Sequence, residues 1–249
     1  MAQTMNVIRK SVGLGGANDS SDIVIVQRLL NDNRLWFLRY LRPLPSDGIA
    51  GDITRLFKRL LPIREDGRYA PELVTAIEEF QRQVLGAANP DGRVDKDGRT
   101  IKALYFVQLP NPGAGYYHYA GGQVCQTSEH LWGTPSTIES VKAVARRTHG
   151  ETGVEIGIGH ISYRDGRPRP PSVSHRIGID VDIRPLRTDG AREAVHVGDA
   201  KYSRDRTAVL VKHLRKDPNL SHILFNDTQI EGVQSCPGHD NHLHVRFRK

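Results

Sequence analysis

Cysteine is nearly absent: Cys125 and Cys236 are the only two in 249 residues. Structural zinc sites close on four ligands, usually several of them thiolates, so a closed Cys-rich site is not expected. A bilayer span needs on the order of 20 consecutive apolar residues, and no stretch of the sequence approaches that length. The start, Met1 to Ser11, carries no apolar run of signal-peptide length. No nucleic-acid-binding motif occurs either. Basic residues outnumber acidic ones by 35 to 28, a net charge of +7, which favours anionic partners in general.

What is present, and placed informatively, is histidine. Gly238-His239-Asp240-Asn241-His242-Leu243-His244-Val245-Arg246-Phe247 puts three histidines within six positions. In a β-strand side chains alternate faces, so His242, His244, Arg246 and Arg248 point one way while Leu243, Val245 and Phe247 point the other. The apolar face can enter a core and leave the imidazoles for a ligand. For one His-x-His pair seen alone, a solvated polar strand face is the competing reading.

A second cluster favours the ligand reading. In Ser174-His175-Arg176-Ile177-Gly178-Ile179-Asp180-Val181-Asp182-Ile183, the second half alternates Ile179, Val181 and Ile183 against Asp180 and Asp182. On a straight strand His175 and Asp182 would face opposite ways, and Gly178 between them permits a turn that re-aims the histidine. One carboxylate and two imidazoles make a three-ligand zinc set with a fourth position open for water. Asp180 shares a face with Asp182 and competes with it as ligand, or accepts a hydrogen bond from a ligand imidazole.

His175-x6-Asp182 with His242-x-His244 resembles the paired motifs of the zinc peptidases that include lysostaphin and the D-Ala-D-Ala metallopeptidases. The longer stretches, Ser174 to Ile183 and Gly238 to Arg246, are similar to the penicillin-insensitive murein endopeptidases. The similarity runs from about Tyr116 to the end, through Trp132-Gly133-Thr134-Pro135, Gly157 to Ser162 and Ile223-Leu224-Phe225-Asn226. The resemblance implies His175, Asp182 and His244 as ligands of Zn2+, with His242 as the proton-transfer or oxyanion-stabilising residue and His239 beside it as the second catalytic histidine. Some members carry a further histidine three residues before the first ligand; this chain has Ser172 there.

Such a site needs no serine or cysteine nucleophile. Zinc brings the pKa of its bound water down to about 7 and polarises a carbonyl, and a nearby near-neutral imidazole moves the proton. Cys236 lies next to the cluster, and a structural role such as a disulfide with Cys125 is expected of it rather than a nucleophilic one. His118, His130, His149, His196, His213 and His222 read as packing or surface residues, whereas His160, after the strand Ile156-Gly157-Ile158-Gly159, is a candidate for the cleft wall. Tyr202, Ser203 and Arg204 read equally as substrate contacts and as a solvated helix start.

The N-terminal half differs. Asp22-Ile23-Val24-x-Val26-Gln27-x-Leu29-Leu30 predicts a capped amphipathic helix. Leu73-x2-Ala76-Ile77-x2-Phe80-Gln81 predicts another, and Pro90 to Asp95 and Gly98 to Leu104 predict turns and a last short helix. Residues 11–105 resemble the small three-helix peptidoglycan-binding domain found beside many wall hydrolases. An insertion at 33–63 departs from that pattern; it reads first as an extra packed helical hairpin, with a partner contact or a lid over the groove as the alternatives. Asp47-Gly48-Ile49-Ala50-Gly51 repeats the Asp-Gly turn and hints at a duplication.

The length suits two domains. An α+β protein is expected: 1–108 as an all-α peptidoglycan-binding-like domain, 109–115 as linker, and 116–249 as a zinc peptidase with a central antiparallel sheet of the hedgehog and D,D-peptidase kind. The implied activity is hydrolysis of D-alanyl to meso-diaminopimelyl cross-links in peptidoglycan by a monomer, without nucleic acid or a transmembrane segment. The alternatives are a zinc amidase cutting between muramic acid and L-alanine, and a non-catalytic wall-binding protein. The leaderless start predicts delivery to the periplasm by a non-Sec secretion apparatus or a phage route, with an immunity protein as a further partner.

Overall fold

The computed structural model describes residues 7–40, 62–110, 115–120, 128–168 and 174–248. The chain divides into two compact units, Met1–Tyr105 and Phe106–Lys249.

Among the described residues the first unit holds helices α1 (Ser20–Tyr40), α2 (Pro71–Leu85) and α3 (Arg99–Tyr105) and a short antiparallel ribbon of β1 (Val12–Gly13) and β2 (Arg93–Val94). Ile23, Val26 and Leu30 of α1, Leu73, Ile77 and Phe80 of α2, and Ile101 and Leu104 of α3 share one core, as their 3.6-residue spacing requires. Proline opens α2 and Gly86 closes it in the left-handed conformation. Helix α1 begins at Ser20, so Asp22 lies inside its first turn. Its buried carboxylate accepts the backbone N–H groups of Arg9 and Lys10 at 3.0 and 2.9 Å and ties down the preceding segment. The start of the expected insertion is a continuation of α1 to Tyr40; 41–61, with the Asp47-Gly48 turn, lies outside the described residues.

A repeat is nevertheless visible, one turn further on. Asp66-Gly67-Arg68 and Asp91-Gly92-Arg93 are each held by a helix glutamine. Gln27 of α1 donates to Asp66 Oδ1 at 3.2 Å and accepts from Gly67 N at 2.9 Å. Gln81 of α2 donates to Asp91 Oδ1 at 2.6 Å and accepts from Gly92 N at 3.1 Å. In both turns the aspartate also accepts the arginine N–H at 3.0 Å. Gln81 makes further bonds to Arg93 O and Thr100 Oγ1. Gln81→Ala, which strands the buried Gly92 N–H, is expected to cost about 1–3 kcal/mol and to exceed the cost of Gln27→Ala; equal midpoints for the two variants in denaturant unfolding would refute this.

The second unit begins earlier than composition suggests. β3 (Val107–Gln108) pairs with β5 (Trp132–Gly133) directly after α3. Leu109, assigned to the linker from sequence, is fully buried in this unit's core, its N–H bonded to Leu131 O at 2.8 Å. The Pro/Gly segment 111–114 lies outside the described residues.

Five strands form the main sheet in the order β4 (Tyr117–Tyr119), β6 (Ile156–Ile158), β7 (Asp180–Ile183), β9 (Leu243–Phe247), β8 (Leu220–Leu224). The sheet is mixed rather than wholly antiparallel: β4 and β6 are parallel. The reason is the helix α4 (Pro135–Thr152) that the chain runs through between them, a crossover that returns the next strand in the same direction. Helix α4 is capped by Thr134, whose Oγ1 accepts from Thr137 N at 3.2 Å, and ends at Gly153 in the left-handed region. Ser203 caps α5 (Arg204–Arg215), while Tyr202 and Arg204 both donate to Asp227 at 2.7 Å. That stretch is therefore a helix start with a carboxylate anchor. Val141, Val144, Leu210 and Leu214 of the helices pack with Ile156, Ile158, Val181, Ile183, Leu243, Val245 and Phe247 of the strands. The opposite face carries Asp180, Asp182, His244 and Arg246. No helix among the described residues is long and apolar enough to cross a membrane.

Candidate metal centre

Strands β7 and β9 pair with Asp182 opposite His244 and Asp180 opposite Arg246. Because side chains alternate, this register places the four on one face, back to back with the buried Val181, Ile183, Leu243, Val245 and Phe247. His175 reaches the same place from a turn. Gly178 has φ +68°, and a Cβ there would come within 2.9 Å of Thr134 N and 3.0 Å of Gly133 Cα. Glycine allows the turn to dock on β5, and Gly178 O accepts Thr134 N–H at 2.9 Å. The turn swings His175 back over β7.

Three imidazoles then converge on one oxygen. His175 Nε2 lies 3.2 Å from Asp182 Oδ1, His244 Nδ1 3.1 Å and His242 Nε2 3.8 Å. Each ring has its far nitrogen against an acceptor: His175 Nδ1 at 2.9 Å from Ile161 O, His244 Nε2 at 3.1 Å from Asp180 Oδ1, His242 Nδ1 at 2.8 Å from Asn241 Oδ1. A far nitrogen that donates its proton turns the near lone pair toward the carboxylate, the arrangement that metal-ligating histidines adopt. Two electron-rich atoms about 3 Å apart need a cation between them, a proton or a metal ion.

His160 joins this group. Ligand atoms of His160, His175 and Asp182 lie within 4.8 Å of one another, a cluster that can hold a metal ion. The His160 ring stacks on His175 at 4.5 Å and meets His130 edge-on at 5.3 Å. The sequence offered His160 only as cleft wall, and gave no spacing to tie it to His175. His130, read as packing, forms the wall behind it. His239 sits 4.8 Å from the His242 ring and 5.8 Å from that of His244, with Nδ1 3.2 Å from the carbonyls of Cys236 and Pro237. Asp180, wholly buried, accepts two bonds from Arg246 at 2.7 and 2.9 Å besides facing His244. It is therefore occupied as an orienting group. Cys236 forms no disulfide among the described residues; Cys125 and Ser172 lie outside them.

Charges follow from these contacts. Burial works against an ionised Asp182, yet the hydrogen bonds with His175 and His244 prevail and hold it well below the usual carboxylate range. Burial also opposes a charged His244, but its bonds to Asp180 and Asp182 push it up to about 9. His242 goes the other way: burial, outweighing the pull of Asp182 and reinforced by His239, His244 and His175, lowers it and keeps the ring neutral at pH 7. The raised His244 value means that its contribution to the stability of metal-free protein is complete below the unfolded pKa of about 6.5 and is lost as pH climbs toward 9. Melting temperatures of chelator-treated protein should fall across pH 6.5–9 more steeply than those of His244→Asn. Parallel curves for the two proteins would contradict the assignment.

No protein-family model matches the chain, and no curated protein is significantly similar to it.

Proposed function

We propose that the second unit is a zinc-dependent peptidoglycan hydrolase that cuts the D-alanyl to meso-diaminopimelyl cross-link, and that the first unit is its wall-binding module. The observation that carries this reading is the convergence of His175, His242 and His244 on Asp182 Oδ1, each ring held from behind by an acceptor. Neutral imidazoles with one carboxylate are the donor set of hydrolytic zinc. His175, Asp182 and His244 would hold the ion, which when bound supplies Lewis acidity and an activated water.

The remaining steps belong to the protein. His242, neutral and with Nδ1 turned to Asn241, offers Nε2 beside Asp182 as the group that takes a proton from water and returns it to the leaving amine. His239, next to His242, is placed to assist it or to stabilise the oxyanion. Asp180, pinned by Arg246, keeps the His244 ring in its tautomer and orientation. The net charge of +7 suits an anionic wall polymer.

Digestion of purified cross-linked muropeptides tests this directly. Dimers should be converted to monomers, a chelator should stop the conversion, and added zinc should restore it. Glycan strands freed of peptide would instead identify an amidase, and binding to sacculi without any product would identify a non-catalytic wall protein.

A further inference from the structure

We propose that His160 is itself a metal ligand in this chain, so that the centre holds its ion with one imidazole more than the His175, Asp182 and His244 set. The inference rests on the metal-site reading above and adds to it.

The geometry carries it. Ligand atoms of His160 lie within 4.8 Å of those of both His175 and Asp182, a separation one ion can close with small side-chain adjustments, given zinc–nitrogen distances of about 2 Å. The backbone fixes this placement: Asp182 N donates to His160 O at 2.8 Å and Gly159 N donates to Asp182 O at 2.8 Å, so residues 159–160 run locked beside β7. His160 is 2% exposed. Its ring is confined between His175, stacked at 4.5 Å with an interplanar angle of 29°, and His130, edge-on at 5.3 Å. Tyr163 stands 6.4 Å away, edge-on to the same ring.

A further imidazole changes what the centre can do. With His160, His175, Asp182 and His244 all engaged, the four-coordinate shell is filled by the protein. Water would then bind only as a further ligand or in place of one of the four.

Two measurements on the full-length protein decide the matter. X-ray absorption on zinc-loaded protein counts imidazole ligands, and His160→Phe preserves a ring against His175 while removing both nitrogens. One fewer imidazole in His160→Phe than in the parent, with zinc affinity reduced by more than the 10–100-fold typical of an outer-sphere change, is the expected result. An unchanged count overturns the proposal, whatever happens to affinity, because a packing role moves stability and not coordination number. If His160→Phe does not fold, His160→Gln takes its place: one imidazole fewer than in the parent supports ligation by His160, and an unchanged count refutes it. Parent protein that takes up no zinc would remove the metal-site reading together with this inference.

Discussion

Asp182→Asn should abolish both zinc binding and muropeptide hydrolysis while leaving a folded protein. The substitution keeps the shape of the side chain and removes the charge on which His175 Nε2, His244 Nδ1 and His242 Nε2 converge at 3.2, 3.1 and 3.8 Å. Lewis-acid stabilisation amounts to several kcal/mol of transition-state energy. At about 1.4 kcal/mol per tenfold, losing it lowers kcat/KM by a factor on the order of 10³ or more. Asp180→Asn is the informative contrast. That carboxylate is engaged by Arg246 and touches only the far side of His244, so its loss should weaken zinc by about 10–100-fold, the range for an orienting partner. Calorimetric zinc titration and single-turnover hydrolysis read the two variants side by side. Tighter zinc binding by Asp182→Asn than by Asp180→Asn would reverse the assignment of ligand and orienting group.

Gly178→Val should be the most disruptive single change to the fold near the centre. A β-branched residue held at φ +68° stores about 1–3 kcal/mol of strain. Its Cβ would also lie 2.9 Å from Thr134 N and 3.0 Å from Gly133 Cα, both backbone atoms that cannot swing aside, adding overpacking of about 1–3 kcal/mol. A total near 4 kcal/mol is a large share of a domain's stability. The displaced turn carries His175, so zinc affinity should fall with the unfolding midpoint. Restoration of native stability with affinity still lost would show that the turn serves only the site; unchanged values of both would mean that the turn does not dock on β5 as described.

Much of the centre is legible in the sequence because alternation in a strand is a strict rule. Leu243-His244-Val245-Arg246-Phe247 and Asp180-Val181-Asp182-Ile183 state which side chains face the core and which do not, and β9 and β7 obey. Gly178 also announced the turn that re-aims His175. What the sequence could not carry was distance between segments. His160 reaches the cluster because β6 and the residues after it run beside β7, a pairing that leaves no trace in spacing along the chain. β4 is three residues long, too short for any period to register, and so the parallel edge of the sheet was missed. The boundary between units was misplaced for a related reason: Leu109 reads as the start of a Pro/Gly-rich segment, and only its pairing partner Leu131 shows that it belongs to a core.

The register of β7 on β9 also governs when the centre comes into being. His175 and Asp182 meet through a local turn, but His244 is 62 residues further along the chain than Asp182, so one half of the pocket is assembled by a short loop and the other by long-range closure. A slip of one residue in that pairing would turn one strand over relative to the other, separating His244 from Asp180 and Asp182 and sending one side of the site toward the apolar core. An ion gripped from both strands can therefore be captured fully only by a chain that has already chosen the correct alignment. Zinc added during refolding should raise the yield of native protein by holding that alignment once formed, with little effect on the speed of reaching it.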